Sequence, residues 1–230
     1  MKFVFIDTET TGFDPKKNAL VQIGLIVDID GKVAHHEIFN IKPWEGCEWS
    51  QEAIDKTGIT PEIAADFEDS NLAFDRFVGI LNKFIDRWDK EDKAFFAGYN
   101  ARFDEDFIRD WFIRNAKTER DASFGNGYGC YFWTPCMDVM QFALFRTLQS
   151  RSQFENFQLG TVCQAVGIDF NAEEAHNALY DIKKTRELYI FYVPSSLVEM
   201  KFCRKDETHQ LCNNYGCPVY VISAKVTGRG

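Results

Sequence analysis

No apolar run in the 230-residue chain approaches the ~20 residues that a membrane-spanning helix needs, and a membrane protein of that kind is not expected. The first strand-like stretch, Phe3-Val4-Phe5-Ile6, begins almost at Met1, and a signal peptide is not expected. The seven cysteines are an odd count without a dense disulfide framework, which suits free thiols in a reducing cytoplasm. Positive charge is in deficit, with 26 basic residues against 35 acidic ones and a formal net charge of −9. Such a chain is poorly suited to coating duplex DNA, where affinity comes largely from phosphate neutralisation. It leaves room for an enzyme that grips a nucleic-acid end through metal ions, because the metals would cancel several of the negative charges. Internal repeats and low-complexity tracts are also missing. What remains is ordinary for a globular protein, 45% hydrophobic and 27% charged, with 22 phenylalanines that predict an aromatic core.

Against that background three acidic segments stand out: Phe5-Ile6-Asp7-Thr8-Glu9-Thr10-Thr11-Gly12, Tyr99-Asn100-Ala101-Arg102-Phe103-Asp104 and His176-Asn177-Ala178-Leu179-Tyr180-Asp181. Asp7 and Glu9 are two apart on a strand, so their carboxylates share a face. The residues before them are wholly apolar, which marks the strand as central, and an acid at the end of a central strand carries a burial cost. Asp104 falls where a helix begins; it shares a face with Phe107, Ile108 and Trp111, and it is equally well placed as an N-cap. Asp181 lies on one helical face with Ala178, Thr185 and Leu188, while Lys183 and Lys184 face elsewhere. A histidine just before a helix is commonly a cap or surface residue; five residues before an inward aspartate, His176 also suits a general base. Converging, the four carboxylates would repel one another unless cations sat between them.

The expected elements are strands over 19–27, 33–41 and 94–99, a hairpin at Asp28-Ile29-Asp30-Gly31, and a short strand over 137–140. Helices are expected over 50–56, 70–88, 104–115, 159–166 and 177–192. On the helix over 70–88 the apolar side is read as Leu72, Phe77, Leu81, Phe84, Ile85 and Trp88. The Gly- and aromatic-rich segment Ala122–Pro135 reads as a loop or lid. Its aromatics Tyr128, Tyr131, Phe132 and Trp133 could stack bases or pack in a core. Cys203, His209, Cys212 and Cys217 lack a tight Cys-x-x-Cys pair, so free thiols are favoured over zinc.

In their order and on this scaffold, the three acidic segments resemble the three motifs of the DnaQ-like, or DEDD, 3′–5′ exonuclease superfamily. The histidine five residues before the last aspartate resembles its DEDDh branch. Leu20-Val21-Gln22-Ile23-Gly24, Thr57-Gly58-Ile59-Thr60 and Met137-Asp138-Val139 add to the likeness, which covers about residues 2 to 192. The resemblance implies an α/β, ribonuclease H-like fold, a five-stranded mixed sheet flanked by helices. The expected organisation is an exonuclease domain over 1–194 and a short C-terminal extension over 195–230. By motif position it implies that Asp7, Glu9, Asp104 and Asp181 bind two Mg²⁺ ions, with Mn²⁺ able to substitute, and that His176 activates water. Thr8 and Thr11 would contact the terminal nucleotide through the backbone. Phe13 would lie against the terminal bases. On their own chemistry Asn100 and Phe103 could serve the nucleotide by hydrogen bonding and stacking, and equally be turn and core residues.

The implied activity is removal of nucleoside 5′-monophosphates from a free 3′ end of single-stranded nucleic acid, with DNA favoured over RNA. The alternatives are an exoribonuclease and, further off, a non-catalytic binding module. A homodimer or a polymerase or repair partner is left open, and a cytoplasmic location is expected.

Overall fold

A computed structural model describes residues 1–116 and 127–193. The expectations placed on Ala122–Asn126, on the cysteine-bearing tail and on the 194/195 boundary fall outside those residues. Among the described residues, no helix is long and apolar enough to cross a membrane.

Three strands open the chain: β1 (Lys2–Thr10), β2 (Leu20–Ile29) and β3 (Lys32–Asn40). They form an antiparallel meander whose β2–β3 turn holds Asp30 and Gly31 at positive φ, with the Gly31 N–H donating to Asp28 Oδ1 at 2.8 Å. Two short helices follow, α1 (Gln51–Thr57) and α2 (Pro61–Ala64). Ser50 caps α1 by accepting from Ala53 N, and Gly58 ends it at φ 69°, a left-handed conformation that glycine adopts without steric cost. Then come α3 (Ser70–Phe84), β4 (Ala94–Gly98), α4 (Ala101–Arg114), α5 (Tyr128–Tyr131) and β5 (Phe132–Asp138). The described part closes with α6 (Val139–Arg146), a 3₁₀ turn over Leu148–Gln153, α7 (Leu159–Ala165) and α8 (Ala178–Tyr192).

The sheet order is β3-β2-β1-β4-β5, with β1 parallel to β4 and β4 parallel to β5. The expected five-stranded mixed sheet flanked by helices is what forms. β1 is the middle strand, and Val4, Phe5 and Ile6 have no exposed surface. One core face packs α3, α4 and α5 on the sheet through Phe74, Phe77, Trp111, Phe112, Tyr128 and Tyr131. The other packs α6, α7 and α8 through Val139, Val162, Ile182 and Leu188.

Two expectations fail here. The supposed loop runs instead through α5 and β5: Tyr128 and Tyr131 are 1% exposed, and Phe132 and Trp133 pair with Ala94 and Phe95 of β4. A Gly-rich composition reads as loop locally, but strand pairing with β4 and burial of the aromatic rings decide the conformation. Helix α3 stops at Phe84, because Ile85 turns extended at φ −130°, ψ 123°. Its supposed inward residues Leu72 and Trp88 are 62% and 83% exposed.

Candidate active site

Strand β1 carries the first two acids toward its C-terminal end. Thr8 and Thr10 are buried on one face, while Asp7 and Glu9 stand on the other, as the two-residue period requires. The parallel strand β4 ends beside β1, and α4 starts directly after it, so Asp104 in the first turn of α4 comes over the end of β1. Gly98 permits this join: a Cβ there would lie 2.9 Å from the Ile6 carbonyl oxygen.

The fourth acid, Asp181, arrives on α8. Asp7 pairs with Gly24 across the β1–β2 ladder, and the first turn of α8 rests on that glycine. A Cβ on Gly24 would meet the Ala178 carbonyl oxygen at 2.2 Å, closer than atoms can approach. Gln22 Oε1 accepts from Ala178 N at 3.1 Å, and Arg186 Nε donates to the buried Asp28 at 2.8 Å, fixing the helix at two points. Ala178, Thr185 and Leu188 are buried, so Asp181 lies on the inward face as expected.

The chain thus brings Asp7, Glu9, Asp104, His176 and Asp181 together along one open cleft of about 310 Å³. Thr8, Phe13, Asn100 and Phe103 line it too, with Tyr99 and Lys56. Asp104 is 3% exposed and accepts from both the N–H and the Oγ1 of Thr8, at 2.9 and 2.7 Å. The N-cap alternative therefore does not account for its carboxylate, which is bound to a residue 96 positions away. Asn177 Oδ1 accepts from Tyr180 N at 3.1 Å, so the capping at the start of α8 falls to Asn177 and not to His176. His176 is exposed, sits at φ 64°, and donates its backbone N–H to Asp181 Oδ2 at 3.1 Å. Side-chain atoms of Glu9, His176 and Asp181 lie within 4.8 Å of one another.

Thr8 and Thr11 do not match the expected backbone contacts. The Thr8 N–H is committed to Asp104, and the Thr11 N–H donates to the Ala19 carbonyl at 2.8 Å with the residue fully buried. Thr8 lines the cleft wall instead, and Thr11 lies behind it. Phe13 is 61% exposed, and its ring centroid is 6.4 Å from that of Phe103, which rests on Phe107. The Asn100 N–H donates to Asp138 Oδ1 at 3.0 Å, which holds the left-handed turn into α4. Lys184 is half-buried and pairs with Glu187. Lys56 was missed because a short exposed helix gave no sign of which cleft it borders.

Burial raises every acid of the cluster. Asp7 is pushed well above the usual carboxylate range by burial and then by Asp104, Glu9 and Asp181. Glu9 rises to about 8 through burial and the charges of Asp181 and Asp104. Asp104 reaches about 7 through burial, even though the Thr8 hydrogen bonds oppose the shift. Asp181 is raised by burial, with the His176 N–H acting in the other direction. Among the described residues, no lysine or arginine forms an ion pair with any of the four. Asp181 Oδ1 is buried without a hydrogen-bond partner. A cluster of carboxylate oxygens in search of positive charge, one of them orphaned, fits hard divalent cations.

An acid cluster at the ends of β1 and β4 on a ribonuclease H-like sheet, with a histidine at its rim, defines a metal-dependent 3′–5′ exonuclease. The exonuclease family model, RNase_T, matches residues 4–189, and the chain belongs to this DnaQ-like family. It is similar to Ribonuclease T of Marinobacter nauticus, at 30% identity over 81% of this chain and 79% of that one. Ribonuclease T of Haemophilus influenzae is 29% identical over 83% and 78%. Among solved structures it is similar to the zinc-bound E. coli ExoI–ssDNA complex, with a TM-score of 0.62 and 25% identity over 82% of this chain. The chain spans 39% of that exonuclease.

Proposed function

We propose that this exonuclease removes nucleoside 5′-monophosphates one at a time from single-stranded 3′ ends, with DNA as the primary substrate. The carrying observation is the cleft itself, where four acids without an ion-pair partner meet and an exposed phenylalanine lines the same space. Asp7, Glu9, Asp104 and Asp181 would hold the divalent cations, magnesium being suited to an all-oxygen site. Bound there, the cations supply an acidified water and charge stabilisation for the departing 3′ oxygen.

The chain's own residues do the rest. His176, exposed at the rim and tethered by its backbone to Asp181, takes the proton of the attacking water. The water oxygen attacks phosphorus, the bond to the 3′ oxygen breaks, and that oxygen takes a proton from solvent, so the shortened strand ends in a 3′-hydroxyl and the mononucleotide carries the 5′-phosphate. Phe13 and Phe103 offer aromatic surface to the terminal bases, which requires an unpaired end. Asn100, at the cleft edge, would hydrogen-bond the terminal nucleotide. The catalytic unit would end near residue 194, leaving 195–230 as an extension.

Single-stranded DNA is supported by the ExoI complexes with DNA oligonucleotides, one of them 26% identical at a TM-score of 0.60. RNA ends are the second reading, favoured by the relatives named Ribonuclease T. The test is magnesium-dependent release of mononucleotides from labelled single-stranded DNA, single-stranded RNA and blunt duplex, alongside Asp7→Ala. Activity that survives the substitution or a chelator overturns the metal reading, and cleavage of circular single-stranded DNA overturns the exonuclease one.

A further inference from the structure

Among the described residues lining the cleft, Lys56 is the only lysine or arginine. It stands in the last turn of α1, with Nζ 5.8 Å from the centroid of the exposed Phe13 ring. Its ion-pair partner is Glu52, one helical turn earlier at 2.7 Å, and the two side chains are 51% and 58% exposed. A pair so open to water adds little to stability and leaves the ammonium free to exchange partners. The bound strand brings one negative charge per nucleotide into a chain of net charge −9. The acids deeper in the cleft cannot attract those phosphates. An ammonium held beside an exposed aromatic ring can meet a backbone phosphate while a base uses the ring.

Resting on the exonuclease reading, we propose that Lys56 binds a backbone phosphate of the two terminal nucleotides and so sets the affinity for the single strand. It is a substrate-binding residue that does not take part in the chemical step. Because a phosphate carries no sequence information, its contribution is the same for every base.

The test compares wild type, Lys56→Gln, Lys56→Arg and Glu52→Gln on short single-stranded oligonucleotides with magnesium, measuring kcat and KM between 50 and 200 mM salt. Lys56→Gln should raise KM about fivefold for all sequences, keep kcat within about twofold, and reduce the log–log salt slope by about 0.7. Lys56→Arg should keep a near-wild-type KM, and Glu52→Gln should leave KM unchanged or lower it. Melting curves check that each variant is folded. An unchanged KM in Lys56→Gln, or an equal defect in Lys56→Arg, overturns the assignment while the exonuclease reading stands. A wild-type protein without nuclease activity sinks that reading instead.

Discussion

Asp104 and Glu105 are consecutive residues near the start of α4, buried to 3% and 2% exposure, and they behave as opposites. Glu105 faces α5 and β5. Arg109 donates to it twice, at 3.0 and 2.7 Å, and Tyr128 donates its hydroxyl at 3.0 Å. Burial alone would raise Glu105, yet these partners together with Cys136 bring it below the usual glutamate range. Asp104 faces the cleft, receives only the two Thr8 bonds, and rises to about 7. Burial of an acid is therefore not the mark of the site. The mark is burial with no basic side chain bound to the carboxylate.

The sharpest way to break this contrast is to neutralise each acid in turn. Asp104→Asn should cost about 10⁴-fold in kcat, matching the several kcal/mol that bound divalent cations contribute to the transition state. Its metal-free melting temperature at pH 8 should stay level or rise, since a disfavoured charge is removed. Glu105→Gln should do the reverse. Activity per folded molecule is kept, and stability falls by about 1–2 kcal/mol, the lower part of the range because Arg109 is partly exposed. Equal loss of activity in both variants would dissolve the distinction.

His176→Ala should lower kcat by about 10²–10³-fold while magnesium still raises the melting temperature. Because His176 also lies within reach of Glu9 and Asp181, loss of that metal response would make it a ligand instead. Thr8→Val, which removes the hydroxyl that holds Asp104 and keeps the shape, should cost about tenfold in activity or metal affinity. No change in either would mean that the Thr8 N–H alone positions the carboxylate.

The two acids of β1 were legible because strand alternation is local and the residues before them are uninterruptedly apolar. Asp181 was legible from helix periodicity for the same reason. Asp104 was not separable from a cap, since its partner Thr8 is distant in sequence. Neither was the pairing of β5 with β4, which turned a presumed loop into core. Burial inferred from a helical pattern also misplaced Leu72, because α3 rotates it to solvent. The local period says which residues share a face; only the packed partner says which face is inside.

The smallest expected effect, a few degrees in melting temperature, tests the uncompensated cluster most directly. Glu9 and Asp104 have folded pKa values near 8 and 7, above their ordinary 4.5 and 3.8. Between those limits the folded protein holds protons that the unfolded chain releases, so the metal-free fold loses stability as pH rises from about 5 to 8. Metal binding needs the deprotonated carboxylates, so stabilisation by magnesium must grow over the same interval. The gap between melting temperatures in magnesium and in chelator should widen from pH 6 to pH 8, and in Asp104→Asn it should widen less. Glu105→Gln should track the wild type, because Glu105 itself is held below the normal range by Arg109, Cys136 and Tyr128. A gap that stays flat with pH would mean that the four acids reach their charged state without a cation, and the contrast between the two sides of α4 would fail.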